Sequence, residues 1–134
     1  MTYPAKHISV GIDAPIHKVY AYLSNPLNLP TWAAGLSRST IKASGVHWLA
    51  NSPMGDVKVK FVDQNNLGVV DHEVTLPNGE VNYNALRVIR NHSGSEVIFT
   101  LYRLPRMSDA EFAADAELIR KDLETLKKIL SAPN

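Results

Sequence analysis

His72 is the residue of this chain best suited to chemistry. An imidazole has an unperturbed pKa of about 6.5, so near neutral pH it can both take and give a proton. It lies in the run of residues 68–76, where Val70, His72, Val74 and Leu76 alternate with Val69, Asp71, Glu73 and Thr75. On a strand that alternation puts His72 on the apolar face and Asp71 and Glu73 on the other. The Asp-His-Glu run is then neither a triad nor a metal cluster, unless a bulge intervenes. A histidine bonded to a neighbour and serving only packing fits the same pattern.

Other side chains offer binding rather than bond-making. Trp32 and Trp48 are large amphipathic rings, suited to core packing or to a wall on which a ligand stacks. Tyr83 and Tyr102 would polarise a carbonyl or hold an enolate from a cavity wall, and are ordinary strand residues otherwise. Over residues 80–90 two phases are open. With Leu86 and Val88 inward, Asn82 and Asn84 are inward too, and their amides need partners that a ligand can supply. With the opposite phase Tyr83, Ala85, Arg87 and Ile89 are inside. Arginine is rarely buried unpaired, which favours the asparagine phase. Arg103 shares the phase of Val97, Phe99 and Leu101, and would hold a carboxylate bidentately or close a salt bridge at the rim.

Whole classes of chemistry lack support. The five histidines include no H-x-x-x-H pair beside a helical carboxylate and no H-E-x-x-H, so no metal is expected. With no cysteine there is no thiol nucleophile and no disulfide. G-x-G-x-x-G, P-loop and G-x-S-x-G patterns are missing, so no nucleotide or other cofactor is expected. Fourteen basic and thirteen acidic residues leave a formal charge of +1, which disfavours nucleic acid as a partner. No stretch reaches the roughly 18–20 apolar residues that span a bilayer. The first dozen residues carry Pro4, Lys6 and His7 without an apolar run of leader length. The expectation is a cytoplasmic protein without membrane insertion. At 134 residues and 45% hydrophobic content, residues 1–134 are expected to form one domain.

The elements that must position these residues can be read from periodicity. In residues 6–12, Ile8, Val10 and Ile12 alternate with polar positions, the mark of a strand. Asp13-Ala14-Pro15 then starts a helix, with Asp13 as N-cap and Ile16, Val19, Tyr20 and Leu23 as one apolar stripe. Asn25-Pro26 ends it, and residues 26–32 form a short second helix or turn with Leu29 and Trp32 inward. From Leu36 to Leu104 the period becomes two. Strands are expected over 39–43, 46–51, 57–61, 68–76, 80–90 and 96–104, with a hairpin turn at Asn78-Gly79. Residues 108–130 form a long helix opened by the capping box Ser108-Asp109-Ala110-Glu111. Its seam is Phe112, Ala116, Ile119, Leu123, Leu126 and Leu130. Consecutive strands joined by short turns imply an antiparallel sheet, and the last helix is the element long enough to cover its apolar face.

The run I-D-A-P-I-H-K-V-Y-A-Y-L-S-N-P-L-N-L-P-T-W (12–32), the strands after it and the amphipathic C-terminal helix resemble the START/Bet v 1-like superfamily. It is also called SRPBCC or polyketide cyclase-like. G-V-V-D-H-E-V-T-L-P-N-G (68–79) and S-E-V-I-F-T-L-Y-R-L-P-R-M-S-D-A-E-F (95–112) are similar to a bacterial subgroup of it. The resemblance covers nearly the whole chain. It implies an α+β helix-grip fold: a curved antiparallel sheet of about seven strands around a long C-terminal helix, with two short helices after strand 1. Members of the superfamily include aromatic polyketide cyclases, lipid carriers, hormone receptors and chaperone activators, so the fold does not settle the function.

The expectation is a small-molecule binding domain. A lipid, isoprenoid or aromatic metabolite would occupy a cavity between sheet and C-terminal helix, in contact with Trp32, Trp48, Val70, His72, Asn82, Asn84, Phe99 and Arg103. The alternative is a cofactor-independent cyclase or dehydratase-like enzyme. His72 would be its acid/base and Tyr83 or Asn82 would stabilise the oxyanion. An interaction protein is a third reading, and it requires an exposed apolar patch. An exposed edge strand leaves a homodimer open.

Overall fold

The first strand, β1 (Ala5–Ile12), buries Ile8, Val10 and Ile12 and exposes the residues between them. The computed structural model describes residues 1–37, 39–53 and 55–131. After β1 come α1 (Ile16–Leu23), a 3-10 turn (Pro26–Asn28), α2 (Leu29–Trp32) and a second 3-10 turn (Ala34–Leu36). Five strands follow before the last: β2 (Ile41–Ser44), β3 (His47–Ser52), β4 (Gly55–Phe61), β5 (His72–Thr75) and β6 (Val81–Asn91). β7 (Gly94–Tyr102) and α3 (Asp109–Leu130) close the fold. All neighbouring strands are antiparallel, in the order β1-β7-β6-β5-β4-β3-β2. The curved sheet with its long terminal helix is an α+β helix-grip arrangement.

α3 begins as its sequence dictates. Ser108 Oγ accepts the Glu111 amide N–H at 3.1 Å, and the Ser108 N–H donates to Glu111 Oε1 at 2.9 Å. Such a cap contributes about 1 kcal/mol. Ala116, Leu123, Leu126 and Leu130 are buried, and the backbone of α3 runs closest to β1, with fewer close approaches to α2 and β7. The helix therefore sits over the β1 side of the sheet; α1 approaches β6 and β7, and α3 does not closely cover the inner face of β4 and β5.

Two local expectations change. Pro15, not Asp13, is the N-cap of α1, with φ −66° and ψ 151°. The chain first turns at Ile12, whose carbonyl accepts the Ala14 N–H, and the Asp13 N–H donates to Ser131 Oγ at the far end of α3. The strand expected over 68–76 is regular only in β5. Val69 still bridges Arg87 in an unbroken register, but ladder hydrogen bonding fails at Val70.

The connection from β4 to β5 is organised by Asn65. Its Oδ1 accepts the N–H groups of Leu67 and Val69, and its Nδ2 donates to the carbonyls of Asp63 and Val69. Its own N–H donates to the Tyr20 hydroxyl of α1 at 2.9 Å. Gly68 then meets β6 at φ +74°, and a Cβ there would lie 2.1 Å from the Val88 carbonyl oxygen. Gly68→Ala is expected to cost about 2–4 kcal/mol through positive φ and backbone clash. Thermal unfolding should show Tm lowered by roughly 5–15 °C; an unchanged Tm would mean that this close approach is absent.

Candidate functional site

The inner face of the sheet and α3 border an open pocket of about 1150 Å³, a half-open cavity rather than an enclosed one. Pairing of β5 with β6 sets His72 opposite Asn84 and Val74 opposite Asn82, and all four side on to the cavity. Phe99 and Leu101 of β7 extend that wall. The facing wall is α3, which presents Asp115, Leu118, Ile119 and Asp122, one helical stripe beside the buried seam. Leu29 and Trp32 of α2 close one end.

His72 is 6% exposed and lies against Phe61, ring centroids 4.8 Å apart at 26°. Its Nδ1 is 3.0 Å from the Val70 carbonyl oxygen. A carbonyl only accepts, so Nδ1 carries the proton of the neutral ring and Nε2 carries the lone pair. Nε2 faces Asn84, whose Nδ2 is 3.4 Å away. Burial holds the His72 pKa below its ordinary 6.5, against the opposing pull of the Val70 carbonyl and the Asp71 charge. A neutral, oriented imidazole whose unprotonated nitrogen is held only by the long contact to Asn84 can accept a hydrogen bond or a proton from the cavity once that amide gives way.

Behind His72, on the outer face, Asp71 is 1% exposed. Its Oδ1 accepts the Leu86 N–H at 2.9 Å and Arg87 Nε at 2.8 Å. Its Oδ2 accepts Arg87 Nη2 at 2.7 Å and the Tyr83 hydroxyl at 2.6 Å. Burial alone would raise this carboxyl; the Arg87 and Tyr83 side chains, the Leu86 amide and the Arg87 charge outweigh it and hold the pKa below 3.8. The geometry explains the gap in the ladder. Val70 N–H donates to the Leu86 carbonyl at 2.8 Å, as an antiparallel pair requires. The return bond runs not to Val70 but to the Asp71 carboxylate, and the Val70 carbonyl is turned onto the His72 ring.

The residues singled out in the sequence separate in space. Trp32, His72, Asn82, Asn84 and Phe99 line the cavity. Val70 is buried within the core cluster, and Trp48 is half-buried against that cluster on β3. Arg103 donates from Nε to the Met107 carbonyl at 3.2 Å and pairs with Asp109, fastening the entry to α3. Tyr102 borders the cavity, and Tyr83 reaches its rim while its hydroxyl goes to Asp71. Leu86 and Val88 are buried and Arg87 is exposed, which is the asparagine phase of β6. Trp32 is 6% exposed, and its indole N–H has no acceptor among the described residues.

Sequence reasoning missed Asp115 and Asp122. Asp122 Oδ1 accepts the Ala34 N–H at 3.1 Å, and burial pushes its carboxyl above the ordinary value against that hydrogen bond. The signal was present: both acids flank the seam residue Ile119 at helical spacing, on the side where the seam ends. At the rim Arg106 is held bidentately by Glu80, at 3.1 and 2.7 Å. Among the described residues no group of three or more His, Cys, Asp or Glu is placed to hold a metal ion, and no helix is long and apolar enough to cross a membrane.

The buried imidazole sets a pH dependence. Its folded pKa lies below that of the unfolded chain, so its contribution to stability is complete above about pH 6.5 and is lost as pH falls through the folded value. NMR titration of the His72 ring should give a midpoint below 6.5, and replacing it by Phe should flatten stability between pH 7 and pH 5. A midpoint at or above 6.5 would contradict the burial described.

No family profile matches this sequence, and no curated protein is significantly similar to it. Solved structures do share its architecture. An uncharacterised protein from Bacillus thuringiensis superposes with TM-score 0.75 at 14% identity, over 96% of this chain and 100% of that one. The Aha1 dimer from Colwellia psychrerythraea gives TM-score 0.74 at 17% identity, over 96% of both chains. DynU16, a protein of the dynemicin biosynthetic locus, gives 0.73 at 11% identity over 96% of this chain and 47% of its own, so this chain spans about half of DynU16. At such identities the likeness is one of fold.

Proposed function

We propose that residues 1–134 form a single domain that binds a small, mostly apolar molecule between sheet and α3. The observation carrying this reading is the cavity of about 1150 Å³, a volume in the range of ligand sites. Its walls combine Leu29, Phe99, Leu101 and Ile119 with a few polar groups at fixed positions: His72, Asn82 and Asn84. Apolar walls supply affinity and polar groups supply orientation. The charges on the lining narrow the ligand further. Arg106 is neutralised by Glu80, whereas Asp115 and Asp122 have no cationic partner among the described residues. A carboxylate ligand would meet like charge in a partly desolvated site, so a neutral or basic molecule fits better. A lipid, isoprenoid or aromatic metabolite of that kind is the proposed class.

A second reading rests on His72. Its ring is neutral, held through Nδ1 by the Val70 carbonyl, and aimed through Nε2 toward Asn84 on the cavity wall. That is the pose of a general base acting on an enolisable carbonyl compound, as in a cyclase or dehydratase, with the Asn82 or Asn84 amide toward the developing oxyanion.

Native mass spectrometry of protein purified from its own host tests the binding reading. A co-purifying neutral or basic molecule of apolar character is the expected result; a co-purifying metal, nucleotide or polyanion would overturn it. With that molecule in hand, His72→Asn separates the two functions. It should abolish turnover with affinity kept within a few fold if His72 is an acid/base, and change affinity alone if binding is the whole function.

A further inference from the structure

We infer that Asp71, on the outer face of the sheet, is a positioning residue for His72 on the inner face. Val70 and Leu86 stand opposite each other, because His72 pairs with Asn84 and Val69 with Arg87 in one continuous register. An antiparallel pair of this kind exchanges two hydrogen bonds. Only the bond from the Val70 N–H to the Leu86 carbonyl is made backbone to backbone. The Leu86 N–H is buried and requires an acceptor. Asp71 Oδ1 supplies it at 2.9 Å, and the Val70 carbonyl is thereby released to accept His72 Nδ1–H at 3.0 Å. One carboxylate thus stands in for one carbonyl, and the carbonyl becomes the orienting group of the imidazole.

The arrangement is held from both sides. Tyr83 and Arg87 are the diagonal neighbours of Asp71 across β6, two residues either side of Ala85, and both bind its carboxylate. The Asp71 carbonyl accepts the Val62 N–H at 3.0 Å, which fixes the backbone between the two faces. The consequence reaches the cavity. With Nδ1 protonated, the ring offers an acceptor at Nε2 rather than a donor, so a ligand hydroxyl or N–H is what it can hold in place of the Asn84 amide 3.4 Å away. That last consequence rests on the binding reading; the coupling of Asp71 to the ring does not.

Nitrogen-15 NMR of the His72 ring at pH 8 tests the coupling, since the shifts of Nδ1 and Nε2 report which one carries the proton. The native protein should show Nδ1–H. Asp71→Ala removes the acceptor, so the Val70 carbonyl turns back to the Leu86 N–H and leaves the ring; the Nε2–H form should become the major one. Asp71→Asn keeps an oxygen for the Leu86 N–H and should retain Nδ1–H. If Asp71→Ala does not fold, Asp71→Leu combined with Arg87→Met carries the same test, because it fills the space of the buried carboxylate and leaves no guanidinium without its partner. A ring still fully Nδ1–H in the folded variant that lacks the carboxylate overturns the inference and leaves the binding reading intact. A cavity that takes up no small molecule would overturn the binding reading and leave the tautomer result standing.

Discussion

The Leu86 amide has to find an acceptor inside the sheet, and the way it does so organises the inner face. An unpaired buried N–H costs about 1–3 kcal/mol, too much to leave unmet in a small domain. A regular ladder would meet it with the Val70 carbonyl and leave His72 to find its own partner. Here the Asp71 carboxylate meets it, and the displaced carbonyl meets the imidazole. Two buried polar groups are satisfied by one local departure from strand geometry. The departure is stable because the carboxylate accepts four hydrogen bonds, two of them from one guanidinium.

From this follows the character of the cavity. His72 is neutral, stacked against Phe61 and presented to a space walled by apolar side chains together with Asn82, Asn84, Asp115 and Asp122. The space exists because α3 packs chiefly over β1 rather than over the middle of the sheet. Its outer stripe, with Asp115 and Asp122, faces the β5–β6 wall across the opening. Architecture makes the room, and the Val70–Asp71 irregularity decides which polar atom looks into it. Solved proteins of the same architecture at 11–17% identity carry no information at that second level.

Much of the architecture was legible because it rests on short-range pattern. The alternation of Ile8, Val10 and Ile12, the capping box at Ser108 and Glu111, and the seam through Leu123, Leu126 and Leu130 are all set by neighbours within a turn or a strand. Over 80–90 the sequence left both phases open, and the cost of burying Arg87 only favoured the inward Asn82 and Asn84 that β6 shows. The partners of Asp71 were not. Alternation put it on the outer face, where a carboxylate is ordinarily solvated, but its burial comes from Tyr83 and Arg87, twelve and sixteen residues away. They reach it only once the register of β5 on β6 is known. For Arg103 the sequence left a ligand carboxylate or a rim salt bridge open, and the turn into α3 supplies the salt bridge to Asp109 together with the Met107 carbonyl.

Through-hydrogen-bond scalar coupling gives the most direct view of the central interaction, because it identifies the acceptor of a single amide. In a long-range HNCO experiment the Leu86 N–H should correlate with the Asp71 side-chain carboxylate carbon and show nothing at the Val70 carbonyl carbon. A correlation to the Val70 carbonyl instead would mean that the ladder is regular, that His72 is held by other means, and that this account of the site is wrong.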